Sequence, residues 1–587
     1  MEKSHRDKIK EIFDRSERIG VIGSPSKTTE ISADILGTAV GKRLVGSLCT
    51  FNYLQDGRDH YALGQIVEVG IRNVWAEDPT MRSLIRQRGS VQPVTERQDY
   101  HYGKMSVSSV FSISNQTEPS MLGTVPSTGT SIRLMGEDMM LSLLSKLPDK
   151  LTFLGRAYGT DIRLPMWFKH FGNENGGTGE AYHIGVFGKT GSGKSVLSKM
   201  IVLGYAKNAS MNIFILDPQG EFSKMKTDAQ ICSLLESNFG KEIQFTGVHN
   251  LVLSGKGLFL RILLSSPFLS KLSIFSDENK ERAIDQIDTI LRGKNRSLTA
   301  PRNEIKPWHY YLRENFEAVW QTIQQDDIIS KIYSGRDYQE RLRNSMQEAD
   351  FEEMYDLWAK IANLFAYGEG KIQISRLVEE LSDASRGKFI IINLSEEGIP
   401  ENIFWSDEIR KLVINELLKA ISSLGEEKYK ADKSLNTLIV IDEAHRLAPR
   451  EVDKEDEISV ALKATVIDGI RTTRKYGLGW MFISQTLSGL DREIINQIRA
   501  YIFGYGLAYG IERQALREII GGSEDSFGLY QLFKDPQSGL GKPEYSFMSF
   551  GPISPLSFSG TPLFFTSLDF PVEFIGLNFN ESKEDGS

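Results

Sequence analysis

Cysteine is nearly absent from this sequence: 587 residues contain two, Cys49 and Cys232, far apart along the chain. Two such residues build neither a disulfide framework nor a Cys-x-x-Cys zinc site, and a reducing, cytoplasmic compartment fits. The eight histidines do not cluster with cysteines or carboxylates at ligand spacing. A basic excess is missing too: 69 Lys and Arg stand against 77 Asp and Glu, for a formal net charge of −8. Composition therefore gives no support to nucleic-acid binding, although a local basic surface stays compatible with it. No apolar run approaches the roughly 18 residues that a membrane-spanning helix needs, so no membrane role is expected. The first residues are charged throughout and lack the apolar core of a signal peptide. Residues 1–17 read instead as a short amphipathic helix with Ile9, Ile12 and Phe13 on one side.

What is present is ordinary for a globular protein of two to four domains: 40% hydrophobic and 25% charged residues. Residues 18–165 show short apolar runs broken by Gly, Pro, Asp and Ser, the pattern of a small β-barrel or sandwich. A helical interruption is expected near "PTMRSLIRQRG". Residues 166–181, Gly- and Asn-rich, read as a linker. The texture then changes. "YHIGVFG", "NIFILD", "KFIIINL", "TLIVID" and "WMFIS" are continuous apolar runs separated by helical patterns. They predict an α/β core with a parallel sheet covered on both faces, over 182–277 and 384–545. A helical block at 278–383 interrupts it. Its aromatics, among them Trp308, Tyr311, Phe316, Trp320 and Trp358, read as helix-face core rather than base-stacking groups. Residues 546–587 look extended and turn-rich, ending in a disordered tail, "NESKEDGS".

"GVFGKTGSGKS" fits G-x-x-x-x-G-K-[ST] from Gly188 to Ser195, between a predicted strand and a predicted helix. Gly188, Gly191 and Gly193 let the backbone curl so that successive N–H groups, including those of Lys189, Thr190 and Ser192, point at phosphate oxygens. Lys194 reaches the β and γ phosphates, the Ser195 hydroxyl ligates Mg²⁺, and the helix that opens through Val196 adds its positive end. The Lys189 side chain reads as solvent-facing and receives no chemistry. "TLIVIDEAH" places Asp442 at a strand end to hold the metal, with Glu443 next to it to polarise the attacking water. ATP and Mg²⁺ are the cofactors expected. The letters DEAH also resemble a helicase superfamily signature, but the Ser-Ala-Thr and Q-x-x-R-x-G-R-x-G elements of that superfamily are missing. The next strand ends instead in Gln485, positioned to sense the γ phosphate or orient water; a plainer reading has it satisfy loop backbone.

In this order, "HIGVFGKTGSGKS", "ILDPQGEF", "LIVIDEAHRL" and "RTTRKYGLGWMFISQTLSGLD" resemble the HerA branch of the HerA/FtsK class of ring-forming P-loop ATPases. The resemblance implies a RecA-like motor core with an N-terminal β-barrel domain and a helical insertion. It adds Asp217 and Glu221 of "ILDPQGEF" to the nucleotide site. It implies a homohexamer that hydrolyses ATP and moves double-stranded DNA through its pore. It also implies a separate effector, such as a nuclease or a sirtuin-like NAD-consuming enzyme, in DNA end processing or bacterial antiphage defence. A second reading makes the ring an ATP-gated scaffold that regulates its effector with little translocation. A third, a conjugation or packaging ATPase, calls for a membrane anchor that the sequence does not show.

Arg471, Arg474 and Lys475 fall near the end of a helix expected from about Ser459, before a left-handed stop at Gly477. Cations there gain about 0.3–1 kcal/mol from the helix dipole, and capping alone accounts for them. Arg, however, offers a planar fork for phosphate, and in the matched family motif arginines here face the neighbouring subunit's nucleotide. Such a finger is worth roughly 10³ to 10⁵ in rate. Arg471 and Arg474 are both candidates, and the sequence does not choose between them. The family often has Gly before the second arginine; this chain has Thr473.

Overall fold

The computed structural model describes residues 4–580 except 93, 115, 148–149, 175, 296–298, 384–385, 522–523, 539–540 and 558–559. Most of the expected tail, 581–587, lies outside the described residues. The chain divides into two compact units, one of residues 1–169, 182–205 and 481–587, the other of 170–181 and 206–480. This division cuts across the expected boundaries at 165 and 182, because the barrel shares its unit with the phosphate-loop segment and the C-terminal strands.

In the first unit, the helix His5–Arg15 is capped by Ser4 and buries Ile9 and Phe13. Strands β1 (Arg18–Ile22), β2 (Glu30–Ile35), β3 (Leu48–Gln55), β4 (Arg58–Arg72), β5 (Tyr100–Ile113), β6 (Thr117–Ser120) and β7 (Ser131–Leu134) follow. They pair in the order β2-β1-β7-β3-β4-β5, and β5 returns to β2, so six strands close a barrel with β6 added on the outside of β5. Closure is possible because β4 and β5 are long and irregular in register at Leu63/Gly64 and Ile66/Glu68; such bulges bend and twist a sheet. Alternate side chains, among them Ile19, Ile31, Phe51, Ile66, Met105 and Ile132, fill the interior. The helical interruption is the helix Pro79–Arg88, capped by Asp78.

The same unit continues through β8 (Thr152–Ala157), β9 (Arg163–Met166) and β10 (His183–Phe187). Every residue of β10 is buried, as a central parallel strand requires.

In the second unit, β11 (Asn212–Asp217), β12 (Glu242–Gly247), β13 (Leu251–Val252), β14 (Ile372–Gln373), β15 (Lys388–Asn393) and β16 (Thr437–Ile441) follow. Four of them form a parallel ladder in the order β12-β15-β11-β16. The helices Asp277–Leu291, Arg313–Ile323, Asp326–Ile332, Arg336–Glu348 and Phe351–Ala362 make the insertion. Of its aromatics Phe316, Trp320 and Trp358 pack as core, whereas Trp308 is half-buried and Tyr311 exposed: Trp358 is fully buried, stands 4.9 Å from Phe259 centroid to centroid, and donates its indole N–H to Tyr310 O at 2.8 Å. Because Phe259 lies on the helix Lys256–Ser265, helical packing begins earlier than residue 278. The 170–181 stretch is no free spacer. Phe171 is buried, and its N–H donates to Asn436 Oδ1 at 2.9 Å.

The remaining strands are β17 (Leu478–Ser484), β18 (Ile498–Phe503), β19 (Ser546–Phe550) and β20 (Leu563–Ser567). Within the first unit, β10 lies parallel to β18 and to Met481–Ser484 of β17. Beyond β18 the ladder turns antiparallel through β19, β20, β8 and β9. Among the described residues, no helix is long and apolar enough to cross a membrane. The architecture is thus an N-terminal β-barrel, an α/β core and a helical insertion.

Candidate nucleotide site

The phosphate loop hangs between two strand ends. Gly188 N–H donates to Ser484 O at 3.3 Å and Lys189 N–H to Tyr505 O at 3.0 Å, anchoring the loop to the ends of β17 and β18. Gly191 and Gly193 have φ of +80° and +84°, a region that side chains avoid, so the curl depends on glycine. The helix Lys194–Ala206 starts directly from it and buries Leu197, Met200, Ile201 and Leu203, with Val196 half-buried. Lys194 is buried, and its ammonium donates to Lys189 O at 3.0 Å. The loop therefore keeps its lysine folded over its own backbone. Lys189 and Thr190 are exposed.

Gln485 follows β17 directly, and its Oε1 accepts the Thr190 hydroxyl at 3.0 Å. The sequence-predicted sensor is thereby in contact with the loop it was expected to read. One residue that no sequence pattern singles out holds this turn: Glu512. Its carboxylate accepts the backbone N–H of Leu487 at 2.8 Å and of Ser488 at 3.1 Å, along with the Ser488 hydroxyl. Nothing in the spacing between 485 and 512 announces it; only the fold brings the two together.

In the second unit, Asp442 and Glu443 follow β16 and are 5% and 6% exposed. Asp442 Oδ1 accepts the Glu443 N–H at 3.0 Å. Glu443 sits at φ +51°, the left-handed region. A non-glycine residue held there costs on the order of 1–3 kcal/mol, and such outliers gather at functional sites. Its carboxylate is 3.4 Å from His445 Nδ1. Asp217, at the end of β11, is fully buried, and burial raises its pKa. Its Oδ2 accepts both the N–H and the hydroxyl of Ser223 at 2.7 Å. Glu221 pairs with Lys224 at 2.6 Å. Both acids of "ILDPQGEF" are therefore bound within their own loop.

The three cations of 471–475 have different surroundings. The helix Glu457–Thr472 ends in a 3-10 turn, Thr473–Tyr476, and Gly477 at φ +75° supplies the left-handed stop. Arg471 is on the last α-helical turn and Arg474 on the 3-10 turn, both exposed. Arg474 pairs with Glu180 at 2.8 Å. The Lys475 ammonium stands 5.3 Å and 5.4 Å from the ring centroids of Tyr429 and Tyr476. Thr473 is fully buried; its hydroxyl donates to Gly469 O at 2.6 Å and accepts the Trp480 indole N–H at 2.9 Å. That indole is the physical reason for threonine here.

Residues 181–421 match the family model "Helicase HerA, central domain". Over those residues the chain is similar to the HerA central domain. The "DNA double-strand break repair helicase HerA" of Sulfolobus acidocaldarius is 24% identical over 383 residues, 64% of this chain and 62% of that protein. The chain thus spans less than two thirds of the curated relative it matches. Among solved structures, VirB4 of Thermoanaerobacter pseudethanolicus aligns at 18% identity, covering 72% of this chain and 97% of that one, with a TM-score of 0.39. A genome-packaging NTPase from Sulfolobus turreted icosahedral virus 2, in complex with AMPPCP, aligns at 11% identity over 66% of this chain and 98% of that one, with a TM-score of 0.26. At those scores neither carries an argument about this chain.

Proposed function

We propose that the chain hydrolyses ATP and uses it to translocate on or unwind double-stranded DNA as a homohexameric ring. It acts beside a separate effector, a nuclease or an NAD-consuming enzyme, in DNA end processing or antiphage defence. The observation that carries the ATPase reading is the phosphate loop, with its buried Lys194 and with Gln485 hydrogen-bonded to Thr190. The backbone of Gly188–Ser195, with Lys194, binds the phosphates, and Val196 continues the helix behind them. Gln485 reports on the γ phosphate through Thr190. Glu443 is the general base. Asp217 and Glu221 line the nucleotide site from the loop after β11, where Asp217 Oδ2 is held by Ser223 and Glu221 pairs with Lys224. Arg471 and Arg474 are both candidates for a finger toward a neighbouring subunit, Arg474 being paired with Glu180 within its own chain.

Magnesium is the ion proposed to accompany the nucleotide. Among the described residues no group of three or more His, Cys, Asp or Glu could hold a metal by itself. Magnesium bound to nucleotide needs only one or two protein ligands, the rest being phosphate and water oxygens. Ser195 and the buried Asp442 carboxylate would supply those ligands, and the ion would neutralise charge on the phosphates.

The test is ATP turnover of the full chain with and without duplex DNA, together with its native mass. DNA-stimulated turnover by a hexamer is the expected result, and absence of turnover sinks the reading. The acidic balance, −8 overall, favours one alternative, an ATP-gated platform for an effector. That alternative is recognised by turnover indifferent to DNA and an effector active only with this chain. The effector and the defence role rest on the family resemblance alone.

A further inference from the structure

The phosphate loop is set against residues that lie outside the stretch matched by the family model, 181–421. Lys189 N–H donates to Tyr505 O at 3.0 Å, and Lys189 O in turn accepts the Lys194 ammonium at 3.0 Å. Gly504 N–H donates to Phe187 O at 2.7 Å, just before the loop begins. Gly506, at φ +104°, leaves room for the Lys189 stem: a Cβ there would stand 2.7 Å from Lys189 Cγ. The turn 504–507 after β18 is therefore the wall on which the first half of the loop rests. One side chain ties that wall together. The Tyr530 hydroxyl donates to Gly504 O at 2.6 Å and accepts the Leu507 N–H at 3.1 Å. Tyr530 is 2% exposed, and burial pushes its pKa up, so the phenol stays protonated. A neutral hydroxyl both donates and accepts; phenylalanine in the same space does neither.

Tyr530 lies in the last turn of the helix Glu524–Gln531. The first turn of that helix is tied to the barrel. Lys104 of β5 donates to Asp525 Oδ1 at 2.7 Å and pairs with Glu68 of β4 at 3.0 Å. At about 1.5 Å per residue the two ties stand roughly 7–8 Å apart along the helix axis. A helix this short moves as one piece, so a shift at Asp525 is a shift at Tyr530. Without Lys104, Asp525 would face the carboxyls of Glu68 and Glu30 with no cation between them, and like charges repel.

We propose that Tyr530 is a positioning residue for phosphate binding, its hydroxyl setting the turn that holds Lys189 and, through it, Lys194, and that the Lys104–Asp525 tie makes the barrel part of that positioning. This rests on the nucleotide-site reading above. Losing the hydroxyl leaves the buried Leu507 N–H without this acceptor, so the turn opens and the loop is ready to grip for only part of the time. A partly populated competent state lowers apparent affinity by that fraction, and saturating ligand restores it. The test is ATP turnover and calorimetric tripolyphosphate binding by the full chain, by Tyr530→Phe, by Lys104→Met and by the double variant, with hydrogen exchange on peptides covering 186–194 and 501–507. Tyr530→Phe should raise KM for ATP and Kd for tripolyphosphate together, roughly threefold or more, while turnover at saturating ATP returns to within about twofold of wild type. Exchange should quicken in both peptides. Lys104→Met should move KM the same way, and should add less in the Tyr530→Phe background than it does alone. Unchanged KM and Kd in Tyr530→Phe overturn the proposal, and so does a fall in kcat at unchanged KM. No effect of Lys104→Met, or full additivity with Tyr530→Phe, overturns the barrel's part in it. A wild type that neither hydrolyses ATP nor binds tripolyphosphate overturns the nucleotide site itself, and exchange at 186–194 then still reads whether the hydroxyl holds the loop. Lys104 is partly exposed, so its variant keeps the test decisive even where Tyr530→Phe fails to fold.

Discussion

Replacing Thr473 by Val removes one hydroxyl from a fully buried position and little else. The hydroxyl does two things: it donates to Gly469 O and accepts from Trp480 Nε1. The first loss is minor, because Gly469 O also accepts the Thr473 backbone N–H. The second leaves the buried indole N–H without this acceptor, and stranding a buried donor costs about 1–3 kcal/mol. The cost falls on the helix end that carries Arg471 and on the start of β17. Gly469 faces the Trp480 ring, where an added Cβ would come within 2.6 Å, so the indole is packed tightly on this side. Hydrogen exchange read by mass spectrometry on peptides covering 469–480 measures the local opening directly. Protection there should fall roughly 5- to 150-fold in Thr473→Val, the equivalent of that energy, and Thr473→Ser should retain it. In a Trp480→Phe background the same substitution should cost far less, a coupling of about 1 kcal/mol or more. Additivity within about 0.3 kcal/mol would refute the claim that the hydroxyl is held by the indole.

Lys194→Ala and Glu443→Ala should each abolish ATP hydrolysis in a phosphate-release assay; turnover near wild type in either displaces that residue from its assigned role. Mixing Arg471→Ala or Arg474→Ala subunits with Lys194→Ala subunits should recover part of the activity, since each supplies what the other lacks; no recovery in any mixture counts against a finger shared between subunits. Glu512→Ala should lower turnover by loosening the turn after Gln485, while Glu512→Gln, which keeps an acceptor oxygen, should lower it less; equal loss in both argues against an anchoring role. Lys241 is buried, donates to Asn208 O, Ala209 O and Met211 O, and is pushed down by burial from 10.5 to about 7. Above about pH 7 the folded chain releases this proton before the unfolded chain does, so the lysine's contribution to stability rises with pH toward 10.5 and is lost as pH falls through 7. The urea midpoint of the wild type should therefore gain on that of Lys241→Met between pH 6.5 and 9, taken as about the range below other titrations, and a constant difference would count against it.

The sequence by itself determined the phosphate loop, because the glycines at 188, 191 and 193 and the Lys-Ser pair are local demands of one short turn. It also determined which strands are buried on both faces, since "NIFILD", "KFIIIN" and "TLIVI" have no polar side to turn outward. The left-handed stop at Gly477 and the core role of Trp358 were legible for the same reason: each follows from backbone geometry or helical spacing within a few residues. Barrel closure was not, because the sequence was equally compatible with a sandwich, and only the return of β5 to β2 decides it. Nor was the Arg474–Glu180 ion pair legible, since Glu180 lies far away along the chain and an ion pair leaves no periodic trace. Asp217 and Glu221 entered the nucleotide site through the family resemblance, and only the tertiary structure shows their local partners, Ser223 and Lys224. Glu512 belongs with them. Their meaning lies entirely in which backbone they touch, and contacts between distant parts of a chain are set by packing rather than by spacing.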